Sequence, residues 1–244
     1  MQSGPMRSGI VVGVLIAAGF GPVTAQATWL TVQGSDCTVW DPSPVSNQTI
    51  EWTGACKDGK ADGHGVLTIH RSGKLVERDE GEFVDGKQAG QGVREYPNAR
   101  YVGEFKDGLF DGKGLYVSSD SDGMRYDGDW KAGNLDGHGA LSFASGIRYE
   151  GEFRANTYTG FGRMTMANGD RYEGQYTLNT PNGKGVYTTA TGSVYAGQWH
   201  HGCFRDGAEA MHFGVPAEDC GQSEDASGSS SAASPVPEPI DGTP

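Results

Sequence analysis

Two histidines at matching positions of the chain are the first residues whose chemistry could support a site. His64 and His138 could act as general bases or as metal ligands. They share one slot of an internal repeat, and in the other copies that slot holds Gln91, Lys113, Phe161 or Lys184. A slot that accepts lysine and phenylalanine predicts no catalytic role for the two histidines.

Two further groups could bind a metal ion. One turn carries the oxygen-rich series Ser118, Asp120, Asp122, Gly123 and Asp129, which resembles a calcium loop. The series begins with serine and has no flanking helices, so a turn lengthened by two residues explains it better. His200 and His201 are adjacent, and adjacent residues of a strand point to opposite faces. The sequence also lacks the usual hydrolase, phosphate-loop and dinucleotide motifs. It therefore predicts no catalytic residue, no metal site and no cofactor, and hence no enzyme.

The N-terminus has the order of a secretory signal peptide. A single Arg7 precedes an apolar run over residues 10–20, and small residues follow it. We predict cleavage near Ala25 or Ala27. An uncleaved membrane anchor is the alternative, but an apolar run of 11 residues is short of the roughly 20 that span a bilayer. The predicted location is therefore the periplasm or the cell exterior.

Four cysteines in an exported chain indicate disulfide bonds. The sequence allows three pairings. Pairing by proximity joins Cys37 to Cys56 and Cys203 to Cys220, which places one bond at each end of the repeat region.

The composition favours an ordered β protein with an acidic surface. The chain has 40 glycines in 244 residues and an aromatic content of 10%. Its net charge of -12 disfavours nucleic acids and anionic membranes, because both attract clustered lysine and arginine.

A glycine with an aromatic residue two positions before or after it recurs every 22 to 27 residues, at Gly54, Gly81, Gly103, Gly128, Gly151, Gly174 and Gly197. In the first six units a second glycine follows 11 residues later. The alternation predicts a strand with one aromatic face, while arginines and acids on the other face predict a solvated charge ladder. The strand is expected to end at a left-handed turn, because the turn residue is glycine except at Asn156 and Asn179. Each unit is therefore one hairpin.

The repeated unit resembles the MORN repeat (membrane occupation and recognition nexus). Its clearest copy runs from Tyr149-Glu150-Gly151-Glu152-Phe153 through Gly160-Phe161-Gly162 to Asn168-Gly169-Asp170. The resemblance covers six full units and a partial seventh, and it implies an exported bacterial protein of this type. It implies an all-β fold, a single elongated and twisted antiparallel sheet or solenoid of stacked hairpins. The end units depart from the pattern, and Cys56 replaces an aromatic residue of the first unit, which fits a disulfide to an N-terminal cap.

Five segments follow from these patterns. They are a signal peptide (1–27), an N-terminal cap (28–49), the MORN-repeat domain (50–207), a C-terminal cap (208–220) and an acidic tail rich in Ser, Pro and Gly (221–244), which its composition predicts to be disordered.

The resemblance implies a non-catalytic scaffold that binds a protein partner. The alternative is a module that binds an envelope glycan or a neutral lipid through an aromatic groove. The candidate groove consists of rings from five successive units: Tyr101, Phe105, Tyr126, Trp130, Tyr149, Phe153, Tyr172, Tyr176, Tyr195 and Trp199. Most rings are expected to be core, and some to line an exposed surface.

Overall fold

The computed structural model describes residues 27–42, 44, 46–207 and 209–220. Their strands are β1 Thr28–Thr31, β2 Thr38–Asp41, β3 Gln48–Trp52, β4 Ala55–Lys57, β5 Lys60–Arg71, β6 Lys74–Val84, β7 Lys87–Tyr96, β8 Ala99–Lys106, β9 Leu109–Ser118, β10 Arg125–Lys131, β11 Asn134–Ser142, β12 Arg148–Arg154, β13 Thr157–Thr165, β14 Arg171–Thr177, β15 Thr180–Thr188, β16 Val194–His200, β17 Cys203–Asp206 and β18 Glu209–His212. A 3-10 helix, Ala217–Cys220, follows. No helix in these ranges is long and apolar enough to span a bilayer.

The strands form one long open sheet in hairpin order, which confirms the predicted all-β architecture. From β5 to β18 each strand pairs antiparallel with the next strand of the chain, and β3 covers the other side of β5. At the N-terminus, the β1–β2 hairpin reaches β5 through a parallel bridge between Thr38 and Lys60.

Within each hairpin the two repeat glycines face each other, as Gly151 faces Gly162. Beyond this pair the register shifts by two residues: Glu152 pairs with Thr159, and Gly160 and Phe161 form a bulge on the second strand. The second to sixth units share this irregularity. A bulge bends the strand that carries it.

The bend turns the sheet into a trough with the aromatic face inside. Tyr126 and Trp130 are four residues apart, which in a straight strand would separate them by about 13 Å. Their ring centroids lie 5.1 Å apart, edge to face. The corresponding pairs of three other units have the same separation of 5.1 Å. Each strand therefore bends at its glycine, which brings the aromatic rings on either side of the glycine together.

A second set of residues fills the trough from the opposite strand. It lies seven positions after the first glycine of each unit, and every member is buried: Ala61, Gln88, Phe110, Leu135, Tyr158, Pro181 and Phe204. Phe110 stacks on Tyr101 with centroids 3.7 Å apart, and Tyr158 stacks on Tyr149 at 4.0 Å. The rings of successive hairpins therefore form one continuous core from β8 to β17.

The turns confirm the predicted left-handed conformation. Asn156 and Asn179 have φ of 66° and 68°, close to the value at the glycines in the same slot. The residue before the slot is also left-handed, including Ala155 at 44° and Leu178 at 48°. Two left-handed central residues define a type I′ hairpin turn, whose twist matches that of the strands.

Successive turns are joined by hydrogen bonds along one side of the trough. The backbone N–H of Asn156 donates to the carbonyl of Leu135 in the preceding unit, at 3.0 Å. The side-chain oxygen of Asn156 accepts a bond from the N–H of Leu135, at 2.8 Å. Asn179 makes the same pair of bonds to Tyr158. Asparagine thus links neighbouring units as well as tolerating a positive φ.

The N-terminal hairpin covers the first turns of this row. Trp40 donates its backbone N–H to Gly86, and its ring lies against Gly108. Val39 and Cys37 are buried beneath it, with Ile50 and Leu67 in the same cluster. The first turns of the row are therefore covered rather than open to solvent.

Candidate functional site

The candidate aromatic groove is not an exposed surface. Nine of its ten rings are at most 4% exposed, and the tenth, Tyr195, is half-buried. The expectation that some of these rings line an open groove is therefore wrong for those nine. The bend at each glycine closes the two rings of a strand onto each other, so they serve as the core of the trough.

The glycine pairs make room for the tyrosine rings. Tyr149 lies across Gly151 and Gly162, and a Cβ on Gly151 would stand 2.7 Å from the Tyr149 hydroxyl. The hydroxyl passes over the pair and donates to the carbonyl of Glu152, at 3.0 Å. Tyr101, Tyr126 and Tyr172 likewise donate to the carbonyl of the residue three positions later, at 2.8–3.1 Å. Burial raises the pKa of Tyr172 to about 12, so its hydroxyl remains a donor at neutral pH.

The residue after the first glycine closes the bulge. The Glu152 carboxylate accepts the backbone N–H of Phe161, at 3.0 Å, because the shifted register leaves Phe161 without a partner in β12. Glu104, Asp129 and Gln175 make equivalent bonds at 2.9–3.0 Å. The prediction treated the acids of this set as solvated charges of the ladder, whereas they form a structural link within the hairpin.

The outer face of the sheet does carry the predicted ladder of charges. Arg125 pairs with Asp127 at 3.1 Å along one strand, and Arg163 pairs with Glu173 at 3.0 Å across two strands. The pairs are largely exposed, so each contributes at most about 1 kcal/mol. The outer face, unlike the aromatic face, is therefore exposed to solvent.

Two grooves interrupt the outer face. The first groove, of about 570 Å³, crosses β6–β9, and its wall includes Leu75, Val102, Leu115 and Val117. Its cations are paired, because Arg78 and Arg100 both reach Glu95, at 3.4 and 3.1 Å.

The second groove, of about 1120 Å³, crosses β13–β16. Phe161 and Val186 in its wall are 55% and 41% exposed. Exposed apolar side chains in a concave surface are typical of interaction sites.

The second hairpin has a polar interior. Asp79 stands where other units have an aromatic ring, and Arg94 binds both of its oxygens, at 2.7 and 2.9 Å. The amide of Gln88 lies over the glycine pair in place of a tyrosine ring and donates to the carbonyl of Glu80, at 3.2 Å. Glu77 adds a second carboxylate 3.2 Å from Arg94.

The charges of this cluster do not balance without a proton. Burial, with the Asp79 carboxylate nearby, raises the pKa of Glu77 to about 8, although Arg94 opposes the shift. Burial also raises the pKa of Asp79, and Arg94 again opposes it. Glu77 therefore holds a proton at neutral pH while Arg94 and Asp79 form the ion pair. The cavity beside them is too small for a ligand, at about 10 Å³.

Six segments of the chain match the model of the MORN repeat: residues 54–70, 80–98, 101–123, 126–148, 149–171 and 172–194. Together they cover just over half of the 244 residues. The chain belongs to the MORN-repeat family. A search of curated proteins found no match.

The hairpin after the sixth MORN repeat follows the same template outside the matched segments. Gly197 faces Gly185, Gly202 forms the left-handed turn, and Phe204 fills the trough. The second repeat is matched in spite of its polar interior. The repeat is thus defined by its glycines and turns more than by its core residues.

The cysteines pair as proximity predicted. Cys37 bonds to Cys56, with Cα atoms 5.8 Å apart, and Cys203 bonds to Cys220 at 5.5 Å. The first bond fixes the β1–β2 hairpin to the first MORN repeat. The second fixes the 3-10 helix to β17.

Other residues that were considered as metal ligands lie in turns. In the lengthened turn, Asp120 accepts the backbone N–H groups of Asp122 and Gly123, both at 3.2 Å. His201 occupies a left-handed turn position, at φ 47°. Among the described residues no three His, Cys, Asp or Glu side chains come together as a metal site.

Sequence reasoning missed two sets of residues. The residues that fill the trough, seven positions after the first glycine of each unit, have only their burial in common, and they range from alanine to tyrosine. The bulge-closing set is mostly acidic, and Gln175 is the residue that could have revealed its role. Glutamine has the same acceptor oxygen as glutamate but no charge, so the position requires an acceptor rather than a charge.

Proposed function

We propose that this MORN-repeat protein is a non-catalytic scaffold of the periplasm or cell exterior that holds a protein partner on the outer face of its sheet. The observation that carries the proposal is the burial of the aromatic face, which leaves the outer face and its two grooves for recognition. Repeat proteins commonly bind partners on one continuous surface.

The disulfides support the proposed location. Both bonds lie within the described chain and no cysteine there is free, which fits an oxidising compartment. The predicted signal peptide (residues 1–27) and the predicted disordered tail (221–244) lie almost wholly outside the described residues. Mass spectrometry of protein recovered from its own cells should give an N-terminus at residue 26 or 28 and four cysteines that resist alkylation.

Binding of an envelope glycan or a neutral lipid through the aromatic groove has lost its support. Sugars stack on exposed ring faces, and nine of the ten candidate rings are in the core. The net charge of -12 still argues against nucleic acids and anionic membranes as partners.

Site-specific crosslinking tests the scaffold proposal. A photoreactive side chain would be placed at Val117 in the first groove, at Val186 in the second, and at Leu178, an exposed turn residue outside both. We expect one groove position to capture the same envelope or secreted protein several-fold more than position 178. Substitution of Val117→Asp or Val186→Asp without the crosslinker should remove that protein from pull-downs. Equal capture at all three positions would contradict the proposal.

A further inference from the structure

The second groove is a cationic surface on an acidic protein. It contains Arg163, Arg171 and Lys184, and its only acid is Glu173. Glu173 is paired with Arg163, whereas the described residues give Arg171 and Lys184 no ion pair. The bordering strand β12 adds Arg148 and Glu150, which cancel. The groove therefore has a formal charge of +2, while the whole chain has -12.

The register places the groove's cations and apolar side chains on one surface. Arg163 lies opposite Glu173 on the neighbouring strand, and Glu173 lies opposite Val186 on the next. One row further along the strands, Arg171 lies opposite Thr188, and Thr188 lies opposite Val194. Val194 is 56% exposed. A ligand for this surface needs carboxylates spaced among apolar side chains, in an extended conformation that can cross four strands.

The described chain ends on the same side of the sheet. Phe204 points into the trough, so its neighbours Cys203 and Arg205 point to the outer face. Cys220 is bonded to Cys203, and Arg205 donates to the Cys220 carbonyl at 2.9 Å. The described chain therefore ends at Cys220, on the outer face and beside the groove.

The sequence after Cys220 contains the required chemistry. Residues 235–241 read Pro-Val-Pro-Glu-Pro-Ile-Asp, with two carboxylates, two branched apolar side chains and proline at alternate positions. Prolines restrict the free chain, so less conformational entropy is lost on docking. The 14 residues between Cys220 and Pro235 span up to about 50 Å, whereas the farthest strand of the groove is about 20 Å from β17.

We propose that residues 235–241 dock in the second groove of the same molecule, with Glu238 and Asp241 facing Arg171 and Lys184 and with Val236 and Ile240 against Phe161, Val186 and Val194. A free acidic peptide would be repelled by the net charge of the protein. A tethered segment is present at an effective concentration in the millimolar range, so weak contacts are enough to hold it. The inference does not rest on the scaffold proposal, because it needs no partner, although it places the tail in one of the two grooves that the scaffold proposal offers to a partner.

A crosslink within the full chain tests this inference. A photoreactive residue at Ile240 of the purified, oxidised protein would be activated and the product mapped by mass spectrometry. We expect monomeric product joined to β13–β16. Arg171→Glu with Lys184→Glu should lower its yield about tenfold, because two exposed charge pairs become repulsive. Adding Glu238→Lys and Asp241→Lys should restore the yield.

Four other outcomes would overturn the proposal: product joined to the first groove, product joined between chains, scattered product, or a yield unchanged by the charge reversals. Arg171 and Lys184 are exposed, and circular dichroism would check that each variant keeps its fold. Failure here would leave the capture of a partner at Val117 or Val186 unaffected, so the two proposals can fail separately.

Discussion

The second and fourth MORN repeats have the same backbone and opposite interiors. In the second, Asp79, Gln88 and Arg94 form a buried polar network. The same three slots of the fourth repeat hold Tyr126, Leu135 and Leu141. Both hairpins keep the facing glycines, the register shift of two and the left-handed turn. The backbone is therefore specified by glycines and turn residues, and the interior can be exchanged as a set.

The polar network lies where the N-terminal hairpin covers the trough. Asp41 in β2 is buried beside Glu77 and Asp79 and contributes to the raised pKa of Glu77. The aromatic repeats from β8 onward bury their rings chiefly against each other. The difference suggests that a polar interior is retained where two elements dock in one fixed orientation.

The largest expected effect comes from breaking the network at one residue. Arg94→Leu leaves the Asp79 carboxylate buried without its cation, so we expect unfolding free energy to fall by about 3–5 kcal/mol. The triple variant Asp79→Tyr, Gln88→Leu, Arg94→Leu installs the interior of the fourth repeat. It should be within about 1 kcal/mol of the wild type or more stable. Urea unfolding measures both, and equal losses would show that the second repeat requires its polar interior.

The two disulfides should stabilise different ends of the sheet. Each closes a loop of 17 to 19 residues, so removing either pair should cost about 3 kcal/mol. Serine at Cys37 and Cys56 should increase hydrogen exchange in β1–β7, because the hairpin over the polar repeat is released. Serine at Cys203 and Cys220 should affect β16–β18 alone. Exchange that rises throughout the sheet in both variants would contradict this separation.

Sequence patterns predicted the backbone better than the surface. The spacing of glycines and the exchange of glycine for Asn156 and Asn179 predicted hairpins, turns and one sheet, because these depend on local φ and on strand periodicity. The exposure of the rings could not be read in the same way. It depends on the bend at the bulge, which no single residue type specifies. Nine of the ten rings of the predicted groove are therefore core.

The protonation of Glu77 should make the polar repeat sensitive to pH. Its pKa is raised from 4.5 to about 8, so between these values the folded state holds a proton that the unfolded state has lost. Unfolding free energy should therefore fall as pH rises through this window, by roughly 2 kcal/mol, because Glu77 remains 23% exposed. Glu77→Gln should flatten the profile measured by urea unfolding between about pH 5 and pH 8.5. Parallel profiles for the two proteins would refute the assignment.

The residue that closes the bulge should contribute to stability in the aromatic repeats but not in the polar second repeat. Glu152→Ala removes the acceptor for the Phe161 N–H and should cost about 1–2 kcal/mol. Glu152→Gln should cost less than half of this, since Gln175 makes the same bond. Glu82 occupies the slot in the second repeat and makes no hydrogen bond within the described chain, so Glu82→Ala should change stability by no more than about 0.5 kcal/mol. Thermal unfolding of the three variants gives the ranking.

Two tyrosines of the aromatic repeats offer the smallest test. Tyr149 and Tyr176 are both buried, yet only Tyr149 donates its hydroxyl, to Glu152, while the Tyr176 hydroxyl has no partner in the described chain. Tyr149→Phe should cost about 1 kcal/mol, because the Glu152 carbonyl loses its donor. Tyr176→Phe should be neutral or slightly stabilising, because the hydroxyl is desolvated without compensation. Equal losses in urea unfolding would mean that both hydroxyls are bonded in solution, and that the aromatic repeats hide a polar contact of their own.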